Sequence, residues 1–173
     1  MRYLFLVILW GSLPMLQGCN PTFNWRDVRP DQIPLAALFP CKPAQDARVV
    51  SLGAKDLTMT LLGCDAGGAT FTLAWADTND AALTGTVLGQ WKNATLASLK
   101  ASSARELPFL LKGASVLPQS VQLEARGVRQ DGTAISVQAV WFAVGSRVFQ
   151  AAMYAAGEQL AVAETYFAGL KLQ

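Results

Sequence analysis

The architecture turns on Ala134-Ile-Ser-Val-Gln-Ala-Val-Trp-Phe-Ala-Val144. This stretch is apolar at nearly every position. Ile135, Val137 and Trp141 fall on one parity, Val140 and Phe142 on the other. Successive strand side chains point to opposite faces, so this run reads as a central strand covered on both sides. Its flanks agree. Arg129-Gln130-Asp131-Gly132 carries the Asp-Gly signal of a hairpin. Upstream, Val121, Leu123 and Ala125 alternate with Gln122, Glu124 and Arg126, the period of a half-buried strand. Downstream, Gly145-Ser146 turns the chain into a strand at Arg147–Ala155.

Further out, Leu57, Met59 and Leu61 alternate with Thr58 and Thr60, and Phe71, Leu73 and Trp75 with Thr70, Thr72 and Ala74. The stretch Cys64-Asp65-Ala66-Gly67-Gly68 joins them as a turn, giving a β-hairpin. Arg48–Leu52 precedes as a strand and turns at Gly53. A short strand is expected at Leu35–Phe39, ended by Pro40. The period changes after Thr78-Asn79-Asp80, which supplies N-cap residues. Leu83, Val87, Trp91 and Ala94 recur at helical spacing, placing a helix at about 80–101. A long connection follows, with one helical turn at 105–111. A last helix opens at Glu158, with Leu160, Ala163, Phe167 and Leu170 as its stripe and Lys171 at its C-terminal end. The expected class is α+β: a mainly antiparallel sheet with helices packed on both faces.

Composition narrows the function classes. The chain has 173 residues, with 14 Lys+Arg against 12 Asp+Glu, 52% hydrophobic and 15% charged residues. That profile excludes intrinsic disorder, and the small net charge excludes a strongly basic nucleic-acid binder. Histidine is absent, which removes His-ligated metal sites and His-based triads.

The N-terminus carries an address. Arg2 precedes an apolar run from Tyr3 to about Trp10, broken by Gly11, Ser12 and Pro14. The run is shorter than the roughly 20 residues that span a bilayer, and the layout is that of an export signal. Leu16-Gln17-Gly18-Cys19 resembles the bacterial lipobox. The resemblance implies cleavage after residue 18 and acylation of Cys19, which would anchor the chain in a membrane. Asn20 follows the cysteine where an inner-membrane retention signal has Asp, which favours the outer membrane and its periplasmic face. An uncleaved signal anchor with Cys19 as a thiol is the alternative. Cys41 and Cys64 are then an even pair in an exported chain and read as a disulfide, with buried thiols or a redox pair as alternatives. The expected organisation is a signal segment at 1–18, a lipidated tether at 19–32 and one domain at 33–173.

Leu38-Phe39-Pro40-Cys41-Lys42-Pro43, Val140-Trp141-Phe142-Ala143, Arg147-Val148-Phe149-Gln150 and Tyr166-Phe167-Ala168-Gly169-Leu170 together resemble packing motifs of the Mog1/PsbP-like superfamily. The likeness covers about residues 35–173 and extends to proteobacterial lipoproteins of that group. It implies a binding rather than a catalytic role. The partners of its named members do not transfer to residues here.

Candidate chemistry is sparse. Ser98 and Lys100 stand two apart on a helix and face different sides. Asp77 and Asp80 suit a helix start, and Asp65 suits a turn. Gly67-Gly68 lacks the Lys-Ser/Thr of a phosphate loop. Trp75, Trp91 and Trp141 read as core, whereas Trp25 either staples the tether or meets a partner. Arg126, Arg129 and Arg147 are read as lying around the Asp-Gly hairpin, as a cationic patch or a solvated face. The expectation is a non-catalytic accessory module of an envelope protein complex, with no cofactor, no metal and no nucleic acid. A carrier of an apolar ligand is the alternative, and a hydrolase is a more distant one.

Overall fold

A computed structural model describes residues 21–52 and 55–173. The expected signal segment, Cys19 and the turn at Gly53 lie outside the described residues. Strand β1, Arg26–Val28, pairs antiparallel with β2, Leu35–Phe39. The long strands β3, Ala44–Leu52, and β4, Lys55–Ala66, lie side by side. Gly67 and Gly68, with φ of 59° and 74°, then turn β4 into β5, Ala69–Asp77. Only residues that tolerate positive φ close so tight a turn. A 3₁₀ turn at Ala81–Leu83 leads into helix α1, Thr84–Ser98. There follow β6, Ser103–Pro108, β7, Val121–Val128, β8, Ala134–Val144, and β9, Arg147–Ala155. Helix α2, Leu160–Ala168, and the two-residue β10, Lys171–Leu172, close the chain.

Seven strands form one antiparallel sheet in the order β3-β4-β5-β9-β8-β7-β6. β1, β2 and β10 form a second sheet with β2 in the middle. The run at 134–144 is indeed interior: Ile135 to Ala143 are all buried. On one face, α1 lays Val87, Leu88 and Trp91 over Val137, Ala139 and Trp141 of β8 and Ala152 of β9. On the other, Leu35, Ala37 and Phe39 of β2 and Tyr166 of α2 meet Phe71 and Leu73 of β5, Phe142 of β8, and Phe149 of β9. Tyr166 donates its hydroxyl proton to the carbonyl of Thr72 at 2.8 Å, which satisfies the one polar atom of that buried ring.

The mainly antiparallel sheet is present, but helices packed on both faces are not the architecture. Of the described residues, 49% are strand and 18% helical, with two α-helices. The second face is closed largely by another sheet and the segment before it. A nine-residue α2 is only about 14 Å long, whereas seven strands span about 29 Å. The proline-punctuated stretch cannot extend a helix over the gap, so β2 fills it. Smaller corrections share this cause, tertiary pairing over local propensity. Residues 105–108, expected in a helical turn, belong to β6 and pair with β7, Arg105 opposite Glu124. Lys171 caps no helix; it lies in β10 and pairs with Ala36 of β2. Leu160 is 49% exposed instead of buried in a stripe. Cys64, Asp65 and Ala66 are the end of a strand instead of a turn. Helix α1 is shorter than expected at both ends, and Lys100 leaves it with φ of 45°.

The segment expected as a tether is docked from Phe23 onward. Trp25 meets Phe71 edge-on at 6.2 Å and stacks on Phe23 at 5.7 Å. Beside it, Cys41 and Cys64 form a disulfide across 23 residues, tying the end of β2 to the large sheet. Replacing both cysteines by Ser is expected to lower unfolding stability by about 3 kcal/mol, read from urea melts. A second close point lies where β7 passes the end of α1. A Cβ on Gly127 would sit 2.2 Å from the carbonyl oxygen of Leu99, which also accepts from Val128 N–H at 2.8 Å. Both groups are backbone and cannot swing away. Gly127→Ala is therefore expected to cost about 2 kcal/mol or more in the same assay.

Candidate functional site

The carboxylates singled out as candidate catalysts are occupied by structure. Asp77 accepts from Asn79 N–H at 2.8 Å and faces Arg147 Nε at 3.4 Å. A hydrogen bond from the Ser146 side chain, then the Asn79 amide, hold its pKa below the usual carboxylate value. Asp80 caps the 3₁₀ turn by accepting from Ala82 N–H at 2.9 Å. Asp65 accepts from the Thr70 hydroxyl at 2.6 Å. Ser98 donates to the carbonyl of Thr95 at 2.8 Å, the ordinary role of a serine in a last helical turn. Among the described residues no group of three or more Cys, Asp or Glu side chains gathers to hold a metal ion.

The three arginines do not form one patch. Arg126 Nε donates to Glu158 Oε1 at 2.9 Å, and Arg129 lies in the hairpin between β7 and β8, its backbone bonded to Thr133 and Gly132. Arg147 is at the opposite end of the sheet. Arg126 stands opposite Ser136 and Arg147 opposite Val144, eight residues along β8, or about 26 Å. A meander changes ends at every turn, so consecutive turns are never neighbours. Trp25 lies with Phe23 against the core and acts as a staple for the N-terminal segment.

An unexpected feature lies beside α1. The helix covers β8 and β9 and leaves part of the same face open toward β3, β4 and β5. The resulting groove has a volume of about 410 Å³. Val50, Leu52, Met59 and Leu61 form its strand wall, and Trp91, Ala94, Thr95 and Ser98 its helix wall. Thr72, Ala74, Gln150 and Tyr154 lie between, and Arg48 stands at the rim. Small side chains face each other here, Ala94 and Thr95 against Thr72 and Ala74. They cannot fill the angle between a helix and a twisted sheet. The core beneath is filled: Trp75, Trp91 and Trp141 are 6%, 6% and 0% exposed. The open space is thus a surface groove and not an internal cavity.

Two polar groups mark the floor. Gln150 is buried, and its carboxamide nitrogen donates to the Thr95 hydroxyl at 3.3 Å. Tyr154 is half-buried, and loss of solvent around its phenol pushes its pKa up to about 12. The sequence held a signal for this site. Gln150 interrupts the apolar strand β9, and a glutamine in such a run needs a local partner. No family model matches the chain, and no curated protein matches it.

Burial also pushes Tyr166 upward, well above its ordinary value. A phenol that ionises later in the folded chain than in the unfolded chain stabilises the fold fully below about pH 10 and loses that contribution as pH rises toward about 12. The expected outcome is a fall in urea midpoint between those values. The fall should be smaller in Tyr154→Phe, which also tests whether the groove phenol is one of the two late-ionising groups.

Proposed function

We propose that this chain is a lipid-anchored protein of the bacterial envelope that works by binding, as an accessory module of an envelope protein complex. The observation that carries the reading is the groove: charged candidates elsewhere are engaged in turns and ion pairs, while this apolar slot beside α1 stands open. Its shape suits a segment of another protein with apolar side chains, and Arg48 at the rim suits an acidic residue on that segment. No helix among the described residues is long and apolar enough to cross a membrane, so in this reading the membrane contact is assigned to acylated Cys19. Confinement to a membrane plane raises the effective concentration of the domain near a membrane-bound partner. An enclosed apolar cavity would have favoured a carrier; an open groove above a filled core favours a protein segment.

The test is cross-linking in intact cells followed by mass spectrometry of what is recovered with the full chain. Cys19→Ser is expected to release the protein from the membrane and lose the partner. Ala94→Trp, at an exposed position on the groove wall, is expected to lose the partner while leaving membrane attachment and the unfolding midpoint unchanged. A partner retained by both variants would sink the reading. A lipid carried by the purified protein and displaced by Ala94→Trp would replace it with a carrier.

A further inference from the structure

The two edges of the seven-stranded sheet are built differently. β6 is six residues long, ends at Pro108, and has its charges tied inward: Glu106 to Lys92 at 2.6 Å and Arg105 to Glu124 at 3.6 Å. Short length, proline and engaged charges are the devices that keep an edge from pairing. β3 is neither short nor closed by proline, and among the described residues neither of its charges is tied to a neighbouring element. It is nine residues long, carries no proline or lysine, and is exposed from Ala44 through Val49, with Val49 at 67%. Its outer backbone is unpaired among the described residues. The Ala47 N–H points away from the β4 ladder and is met only by the neighbouring Asp46 carboxylate, at 2.8 Å. By the alternation of an antiparallel ladder, Gln45, Ala47 and Val49 present their backbone groups outward.

We propose that β3 pairs with β3 of a second copy of this chain, antiparallel about a two-fold axis at Ala47, joining two sheets into one. The charge pattern selects both the partner and the register. A two-fold axis perpendicular to a sheet keeps each face on its own side, so only registers centred on a residue are allowed. Centred on Asp46 or on Arg48, a charge faces its own copy. Centred on Ala47, Asp46 of each chain faces Arg48 of the other, giving two opposite-charge pairs, with Gln45 opposite Val49. Residues 44–50 are consumed by this register. Ser51 and buried Leu52, at the end of β3 that turns in toward the groove, stay outside it. Asp46, Arg48 and Val50 share the face of α1, so the grooves of the two copies would lie side by side across the axis. The pairing uses the backbone edge of β3, shares Arg48 and Val50 with the outer rim of the groove, and stands without the membrane anchor.

The test uses the full chain in its membrane and a short thiol-reactive cross-linker. Ala47→Cys is expected to give a covalent dimer. Val49→Cys should not, because its counterparts lie about 14 Å apart in this register. Val116→Cys, on an 85% exposed loop, sets the background. In the Ala47→Cys chain, Asp46→Arg or Arg48→Asp alone turns both pairs repulsive and should lower the dimer yield about tenfold. The double exchange should restore it. These positions are exposed, and an unchanged unfolding midpoint verifies that each variant is folded. Yield no higher than at Val116, yield unaffected by single inversions, or capture of a different protein at position 47 would each overturn the proposal.

Discussion

Everything in this structure follows from the requirement to cover β8 and β9 on both sides. Their buried faces are apolar on both parities, and no strand in such a position can be left open to water. Seven antiparallel strands satisfy the backbone groups. The side chains then need two covering layers, and the chain supplies them by different means. One is α1. The other is β1, β2 and β10 with α2 and the aromatic N-terminal segment. The disulfide and the stapled Trp25 belong to this second layer, which is assembled from pieces distant in sequence and gains most from a cross-link.

The unequal layers also explain where binding surfaces arise. The composite layer spreads across its face. A single fifteen-residue helix does not, and the angle between α1 and the outer strands is left as the groove. Among the described residues the same asymmetry leaves β3 uncovered at the sheet's edge, while β6 at the other edge is short and held by ion pairs to α1 and β7. A groove and an open edge on adjoining strands suit a protein that works by contact. The candidate carboxylates, spent on caps, turns and Arg147, offer no rival constellation.

Legibility in the sequence tracked the range of each interaction. Alternation at 57–61, 71–75 and 121–126 located strands because parity is a local property. Trp75, Trp91 and Trp141 were legible as core for the same reason. The strand at 105–108 is not legible in the pattern because its strand character comes from pairing with β7. The separation of Arg126 and Arg147 follows from the meander itself, because the β7–β8 and β8–β9 turns lie at opposite ends of β8. The groove is not legible in the pattern because it is a space between elements, set by the angle at which α1 lies on the sheet and by the smallness of Ala74 and Ala94.

Local pattern alone sets the doubly buried strand at 134–144, the hairpins around it and the antiparallel character of the sheet, and it provides an even cysteine pair. The first three rest on periodicity or turn chemistry within a dozen residues, and the cysteine pair rests on a count. What closes the second face, which edge strand is uncovered among the described residues, and the groove beside α1 arise only in the folded chain. Those are set by helix length against sheet width and by strand order, quantities that exist only once distant segments have packed.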